Sequence, residues 1–451
     1  MTESQGFFWE RHPEAEQLML DLLERFCSKS RTLASFQERL VRQASGRLLD
    51  WVDHLLIEDS PYLQKKLTDL GFVEEPESQQ AVWCHPGTQL PPIVLTELDS
   101  PARTGAALRV DSLADFLQAN GFACDIEGEP FSPYRRAWLG EEQGIVLLAV
   151  ERRGSADLLP SGPTLKELRS YLSAVELWQT RPRFGDDEDR LWKEAFRRVD
   201  RMLSLVGTDL AAWVVCEVER RYWLARNRAG RLQQARQATL GLGWGNHDHH
   251  TFRSSRRHFS RLVNLFSLLG FENRERFYAG EEAGWGAQVM ENSRAGLALF
   301  LDVDLAPEEV AADFSQEELP ERGELGTVGL WCALHGDSIF GAGMHHLAAL
   351  FDFDRLIEDL AEEGIDYMPP FSDFPYLRQA FSVAERWPVA PARLSRLAGE
   401  GLISSEQADK FLTEGAVGSH LENIQRREGY KGFNKKNVSA IIRQTDPRRE
   451  G

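Results

Sequence analysis

Apolar residues near the N-terminus recur at helical spacing. Between residues 13 and 72 they include Leu18, Leu22 and Phe26, and further on Leu48 and Leu55. Spacings of three and four residues place side chains on one face of a helix. We therefore predict two or three helices in this segment. Five prolines between residues 73 and 105 exclude long helices there, and we expect loop with short strands.

A pattern of one strand, one helix and three strands comes next and is repeated later. The first copy, residues 107–154, has a helix with Asp111 as N-cap that stops at Gly121. The second copy, residues 249–303, has a helix that stops at Gly270, and each copy ends in an apolar strand. Repetition of one supersecondary unit indicates a fold built from paired modules. We predict that the two copies superpose.

Helices are predicted between the copies, including one long helix from Asp209 to about Ala238. After Asp304 we expect an acidic loop, a strand that carries His345 and His346, a helix, and a further strand in GSHLENIQR. The predicted fold class is α+β. Residues 1–240 form a helical region with a β-α-β-β-β unit, residues 241–440 a mixed, mostly antiparallel and partly closed sheet, and residues 441–451 a tail.

Composition limits the partners of this chain. Its 451 residues are 42% hydrophobic and 27% charged, as in globular proteins. The formal charge of −18 argues against a nucleic-acid or anionic-membrane surface. No apolar run approaches the ~20 residues that span a bilayer, and no signal peptide is evident, so we expect a cytoplasmic protein. Five widely spaced cysteines indicate reduced core residues and no zinc ribbon.

Histidines are concentrated in one stretch. Residues 241–258 hold four of the eleven histidines, together with three arginines. Side chains alternate along a strand, so His249 shares a face with Arg253, and His250 lies on the other face. If the strands of His346 and Glu422 lie nearby, two imidazoles and one carboxylate would form a metal site with open positions. The residues alone leave His250 open as the first ligand and His420 as an alternative ligand or supporting donor.

Four short stretches occur in an order that resembles one enzyme family. They are His249 to Arg253 (HHTFR), His346-Leu347 followed by FDFDRL, Leu377 to Phe381 (LRQAF), and Gly418 to His420 leading to Glu422 and Gln425-Arg426. The chain is similar in these motifs to the 2-oxoadipate dioxygenase/decarboxylase family, also called 2-hydroxyglutarate synthases, whose fold is related to vicinal oxygen chelate enzymes. The resemblance covers residues 245–435. Residues 1–235 have no counterpart, and the interval between the first two histidines is shorter here.

The resemblance implies a metal site and a reaction. His249, His346 and Glu422 would hold Fe(II), with Mn, Zn or Ni as alternatives, and Arg253 would bind the substrate carboxylate. Arg378 and Gln379 are candidates for substrate contact or for bridging strands. The implied reaction uses dioxygen to convert a small 2-oxo acid to a 2-hydroxy acid. Alternatives are another divalent-metal chelate enzyme, such as a lyase, isomerase or extradiol dioxygenase, and a metal-free binding module. Oligomeric state is left open.

Overall fold

A computed structural model describes residues 9–76, 78, 80–97, 104–185, 187–281, 283–434 and 446–448. Two mixed β-sheets and a set of helices make up this part of the chain, so the α+β fold class is confirmed. Among the described residues, no helix combines the length and apolar character needed to cross a membrane.

The helices are α1 (Pro13–Lys29), α2 (Arg31–Ala44), α3 (Pro61–Asp69), α4 (Leu113–Asn120), α5 (Leu165–Gln179), α6 (Glu188–Val206), α7 (Thr208–Leu224), α8 (Arg228–Ala238), α9 (Phe259–Leu268), α10 (Thr327–His335), α11 (Phe353–Glu362), α12 (Pro391–Gly399) and α13 (Ser405–Glu414).

The first sheet has the strand order β2-β3-β4-β1-β5-β8-β7-β6. Its strands are β1 (Val52–Glu58), β2 (Val73–Glu74), β3 (Ala81–Cys84), β4 (Ile93–Thr96), β5 (Gly105–Val110), β6 (Ile126–Glu127), β7 (Tyr134–Glu142) and β8 (Ile145–Arg152). Strand β1 pairs in parallel with β4, and β5 pairs in parallel with β8. The antiparallel β1–β5 pair joins the two halves.

The second sheet follows the order β10-β11-β12-β9-β13-β17-β15-β14, with β16 beside β17. Its strands are β9 (His247–Arg253), β10 (Glu272–Tyr278), β11 (Trp285–Asn292), β12 (Leu297–Asp304), β13 (His346–Leu350), β14 (Ser372–Phe374), β15 (Leu377–Phe381), β16 (Glu385–Trp387) and β17 (Ala416–Arg426). The β9–β12 and β13–β17 pairs are parallel, and the other pairs are antiparallel. The expected mostly antiparallel character is confirmed.

Both sheets consist of two β-α-β-β-β units each. In every unit the first strand pairs in parallel with the last, and the two middle strands continue antiparallel from the last. The predicted correspondence of residues 107–154 and 249–303 is confirmed in strand order and direction. The sequence analysis missed the other two units, at residues 52–96 and 346–426.

One face of the second sheet is covered by helices. Side chains of this face, including Phe252, Leu347 and Leu421, share a core with Trp178 of α5 and Trp192 of α6. Residues one position along each strand point to the opposite face, because side chains alternate. The helix layer therefore fixes which face of β9, β13 and β17 is left for a pocket.

Three local predictions were wrong. Leu55 was assigned to a helix, but residues 52–58 form the buried central strand β1, in which a short apolar run follows Asp53 and His54. Leu48 lies in a short 3-10 helix of residues 48–51. A short buried apolar run does not distinguish a strand from a helix. The predicted helix from Asp209 to Ala238 is two helices, because Asn227 caps a new helix by accepting a hydrogen bond from the Gly230 amide. The N-cap of α4 is Ser112 rather than Asp111.

A half-buried histidine at the end of α10 makes the free energy of unfolding depend on pH. His335 Nε2 lies 2.9 Å from the Val417 carbonyl oxygen, and burial lowers the pKa of His335 to about 4. The unfolded chain binds a proton at this histidine below about pH 6.5, whereas the folded chain does not until about pH 4. The free energy of unfolding should therefore fall as pH drops through this window, by up to ~3 kcal/mol from this group. Urea unfolding of wild type and His335→Gln at several pH values tests this, and an unchanged pH slope in the variant would contradict it.

Candidate metal centre

His249, His346 and Glu422 meet on the face of the second sheet opposite the helices. One ligand atom from each lies within 4.8 Å of the other two, and all three side chains are buried. Glu422 Oε2 is 3.0 Å from His346 Nε2 and 3.5 Å from His249 Nε2. Within the described residues this is the one group of three or more His, Cys, Asp or Glu side chains close enough to hold a metal ion.

Strand register explains why these three residues meet. Ala348 in β13 lies directly opposite His249 in β9 and directly beside Glu422 in β17. His346 precedes Ala348 by two residues and so projects from the same face. The small side chain of Ala348 leaves the space between the three larger groups open. Three adjacent strands thus supply one donor each, as expected from alternation along the strands.

Two of the three residues, His249 and Glu422, are oriented by neighbouring groups. Asp248 Oδ1 lies 2.7 Å from His249 Nδ1 and accepts a hydrogen bond from it. The other ring nitrogen of His249, Nε2, therefore faces Glu422. Arg426 donates to both oxygens of Asp248, at 2.6 and 3.1 Å. Gln379 Nε2 donates to Glu422 Oε1 at 2.8 Å, so Oε2 is the oxygen that faces the histidines. His249 and Glu422 are therefore held in place by buried hydrogen bonds.

The electrostatics of the cluster favour a cation. Burial raises the pKa of Glu422, but the neighbouring His249 and His346 outweigh it and lower the pKa to about 2. Burial lowers the pKa of His249, whereas the carboxylates of Glu422 and Asp248 together raise it to about 9. A buried carboxylate therefore stays ionised, with positive charge stabilised beside it. Two imidazole nitrogens and one carboxylate are also the donor set of the metal-binding facial triad, so these residues fit a divalent ion.

A small, mostly aromatic pocket of about 60 Å³ adjoins the three donors. Arg253 and Asp302 lie on its wall, with Arg253 Nε 3.5 Å from Asp302 Oδ2. Arg253 Nη1 has no hydrogen-bond partner in the described part of the chain. Burial, partly offset by Arg253, raises the pKa of Asp302 to about 7. The aromatic lining consists of Phe277, Trp285, Phe300, Phe371, Phe381 and Phe433.

The sequence-based site residues are only partly brought together. Arg253 and Gln379 line the pocket with the three donors. Arg378 does not, since its guanidinium pairs with Asp373 and Asp354 at 2.9 and 2.6 Å. Among the other histidines that were considered, His420 Nδ1 lies 2.8 Å from the Ser382 carbonyl oxygen. His250, His258, His335 and His420 are all outside the group of three.

Three neighbouring residues were not assigned a role from the sequence. Asp248 and Arg426 orient His249, and Asp302 approaches Arg253 across the parallel β9–β12 pair. A signal was present in the sequence, because the Asp-His pair of residues 248 and 249 also occurs at Asp53 and His54. The paired occurrence marks equivalent positions of the two sheets.

The first sheet repeats this strand arrangement but keeps only one of the three candidate donors. His54 lies opposite Ala107, which lies beside Leu148, in the same register as His249, Ala348 and Glu422. The equivalent of His346 is Gly105, where an added Cβ would lie 1.9 Å from the Val146 carbonyl oxygen. Leucine thus replaces the carboxylate, and no side chain fits at the second histidine position.

The supporting ion pairs are nevertheless retained in the first sheet. Asp53 Oδ2 lies 2.7 Å from His54 Nδ1, and Arg152 donates to both oxygens of Asp53 at 2.6 and 2.8 Å. Asp53, His54 and Arg152 thus match Asp248, His249 and Arg426. The surrounding face is filled by apolar side chains, among them Leu56, Ala107, Val146, Leu148 and Val150. The first sheet keeps the structural frame of the site without its donor set.

This duplication provides a matched test of Asp248. Asp248→Asn is expected to weaken binding of a divalent metal by about 10–100-fold, because residues that orient a metal-binding histidine contribute on this scale. Asp53→Asn alters the equivalent ion pair of the first sheet and should leave metal affinity unchanged. Competition with a chelator measures both. Equal losses in the two variants would show that Asp248 acts only through stability.

The comparisons with known proteins found weak similarities to solved structures and no match to a family model or a curated protein. A triple mutant of 4-hydroxymandelate synthase from Streptomyces coelicolor aligns with 90% of this chain and 100% of its own, at 14% identity and a TM-score of 0.31. A putative hydrolase from Shewanella frigidimarina aligns with 48% of this chain and 97% of its own, at 14% identity and a TM-score of 0.30. Methylmalonyl-CoA epimerase from Mycobacterium tuberculosis aligns over 40% and 88%, at 12% identity and a TM-score of 0.23.

Proposed function

We propose that this protein is a non-haem iron(II)-dependent dioxygenase that decarboxylates a small 2-oxo acid and converts it to a 2-hydroxy acid. The observation that carries the proposal is the convergence of His249, His346 and Glu422 within 4.8 Å on one buried face. Three protein donors on one side of an ion leave its other positions open to substrate and dioxygen. When bound, a redox-active divalent ion supplies the oxidising and Lewis-acid chemistry of the reaction.

The chain itself contributes substrate binding. Arg253 lies on the same face of β9 as His249, four residues along the strand, which is about 13 Å at ~3.3 Å per residue. A guanidinium reaches back several ångströms and binds carboxylate with two parallel hydrogen bonds. Arg253 therefore holds a carboxylate at one end of the substrate, while the 2-oxo acid group at the other end lies at the three metal donors. Its loose 3.5 Å contact with Asp302 leaves donor capacity for this role.

The pocket walls control water. Aromatic rings surround the donors, and Phe433 packs against His249 with ring centroids 5.0 Å apart. An apolar enclosure limits access of bulk water and strengthens the electrostatic contacts that Arg253 makes with substrate. Gln379 keeps Glu422 in place by donating to the oxygen that faces away from the histidines.

The reaction has a stoichiometry that can be measured. One 2-oxo acid and one dioxygen should give one carbon dioxide and a 2-hydroxy acid one carbon shorter. We expect the iron-loaded protein to consume oxygen and release carbon dioxide in equal amounts with a substrate from a panel of 2-oxo acids. Metal-dependent turnover of a substrate without oxygen consumption would contradict the dioxygenase and favour a lyase or isomerase. Absence of bound divalent metal in the reconstituted protein would contradict both.

A further inference from the structure

A second and larger cavity lies between the two sheets. Its volume is about 300 Å³, the lower end of the range for small-molecule sites. Strands of both sheets line it, through Val52, Asp53 and Arg109 of the first and His247 and Asp248 of the second. None of the three metal donors lines this cavity. The inter-sheet cavity is therefore a separate space from the aromatic pocket.

Matched positions of the two sheets face this cavity. Val52 pairs with Leu108 in the first sheet as His247 pairs with Ala349 in the second, so Val52 and His247 are equivalent. One residue further along, Arg109 is the equivalent of Leu350, and both line the cavity. The fold thus accepts an apolar residue at the position of Arg109. The architecture of the sheet therefore does not explain why an arginine occupies this position.

Within the described residues, the guanidinium of Arg109 makes no direct polar contact. No hydrogen bond or ion pair joins its guanidinium to any residue in the described ranges, and the side chain is only partly exposed. Burial lowers the pKa of Arg109, although Asp53 and Asp111 oppose the effect. The guanidinium lies over the turn at Gly296, where an added Cβ would be 3.6 Å from both Nη atoms. A partly desolvated guanidinium that makes no hydrogen bond is unfavourable unless another group binds it.

The acidic residues of the cavity wall are already engaged. Each accepts hydrogen bonds or forms an ion pair with a group other than Arg109. The pairs are Glu16 with the Gly429 amide, Asp50 with Arg47, Asp53 with Arg152, Asp248 with Arg426, and Glu291 with Lys431. These carboxylates also disfavour a polyanion, because several negative charges would lie close together. A single compact anionic group fits the space and the charge.

We propose that the inter-sheet cavity is a second ligand site that binds a small molecule through one carboxylate or phosphate group on Arg109. Five N–H donors in a planar fork allow Arg109 to hold either group with paired hydrogen bonds. His247 Nε2, which lies 3.2 Å from the Gly296 carbonyl oxygen, borders the same space. Asp248 forms part of the wall and also orients His249, so an occupant would contact the residue that supports the metal centre.

Titration calorimetry of the full-length, metal-loaded protein tests this site, with propionate and inorganic phosphate as separate probes. We expect wild type to bind at least one probe and Arg109→Leu to bind it at least about tenfold more weakly, the loss typical of a charge-assisted contact. Arg197→Leu removes a charge of the same sign at a solvent-exposed position and should bind like wild type. Binding should persist in Arg253→Leu, which separates this cavity from the aromatic pocket.

Arg109→Leu copies Leu350, so it should fold and be at least as stable as wild type in anion-free buffer. Arg109→Gln provides a second variant with a neutral polar side chain. Loss of the folded state in both variants would identify Arg109 as a structural residue and overturn the proposal. It would also be overturned if wild type bound neither probe, or if Arg109→Leu bound as tightly as wild type. Binding that is lost in Arg253→Leu and kept in Arg109→Leu would assign the anion to the aromatic pocket instead.

Discussion

Replacement of Glu422 by glutamine is expected to weaken binding of a divalent metal ion by about 100-fold or more. The carboxylate is the only anionic member of the proposed donor set, and its Oε2 faces both histidines at 3.0 and 3.5 Å. Loss of a group that merely orients a ligand costs 10–100-fold, so loss of a ligand should cost at least the upper value. Chelator competition measures metal affinity, and circular dichroism confirms that the variant is folded.

The internal duplication supplies controls for this experiment. His249→Gln should reduce metal affinity like Glu422→Gln, whereas His54→Gln changes the equivalent histidine of the first sheet and should not. Both histidines are buried, and in each the Nδ1 atom lies 2.7 Å from a carboxylate oxygen of the preceding aspartate, which accepts the hydrogen bond. A stability effect would therefore be shared, but a metal effect would not. Wild-type metal affinity in Glu422→Gln would rule out this residue as a ligand.

The second large effect is expected at Arg253. Arg253→Lys keeps the positive charge but loses the planar fork, and it should weaken substrate binding by about tenfold or more, at ~1.4 kcal/mol per tenfold. Metal content should remain normal, because Arg253 is outside the group of three donors. Substrate affinity and metal content are measured on the same preparations.

Arg378 is the matched control for Arg253. Both were candidates for substrate contact, but Arg378 lies outside the pocket and pairs with Asp354 and Asp373. Arg378→Lys should therefore leave substrate affinity unchanged. If both Arg253→Lys and Arg253→Ala bind and convert a wild-type substrate normally, the carboxylate is held elsewhere.

The sequence was informative wherever strand alternation decided the outcome. His249 and Arg253 were placed on one face and His250 on the other, and the structure has that arrangement. Motif order suggested which distant strands carry the remaining donors. The pairing that aligns Ala348 between His249 and Glu422 was beyond sequence reasoning, since register depends on contacts between distant strands.

The sequence analysis missed Asp248 and strand β1 because both depend on how strands pair and pack. Asp248 lies at a β-bulge, where the ladder between β9 and β13 skips one residue, so simple alternation along the strand did not indicate its role. Strand β1 was read as helix because its short buried apolar run, residues 55–57, has no periodicity that distinguishes a strand from a helix. Because strand β1 was missed, the first β-α-β-β-β unit and the complete duplication were missed as well. The first sheet carries His54, Gly105 and Leu148 at the positions equivalent to His249, His346 and Glu422.

Anomalous X-ray diffraction from crystals of the iron(II)-reconstituted protein, grown without oxygen, tests the central claim most directly. We expect one strong anomalous peak at about 2.0–2.2 Å from a nitrogen of His249, a nitrogen of His346 and a carboxylate oxygen of Glu422. A peak at any other set of side chains, or no peak beside these three residues in crystals with iron in excess, would contradict the assignment.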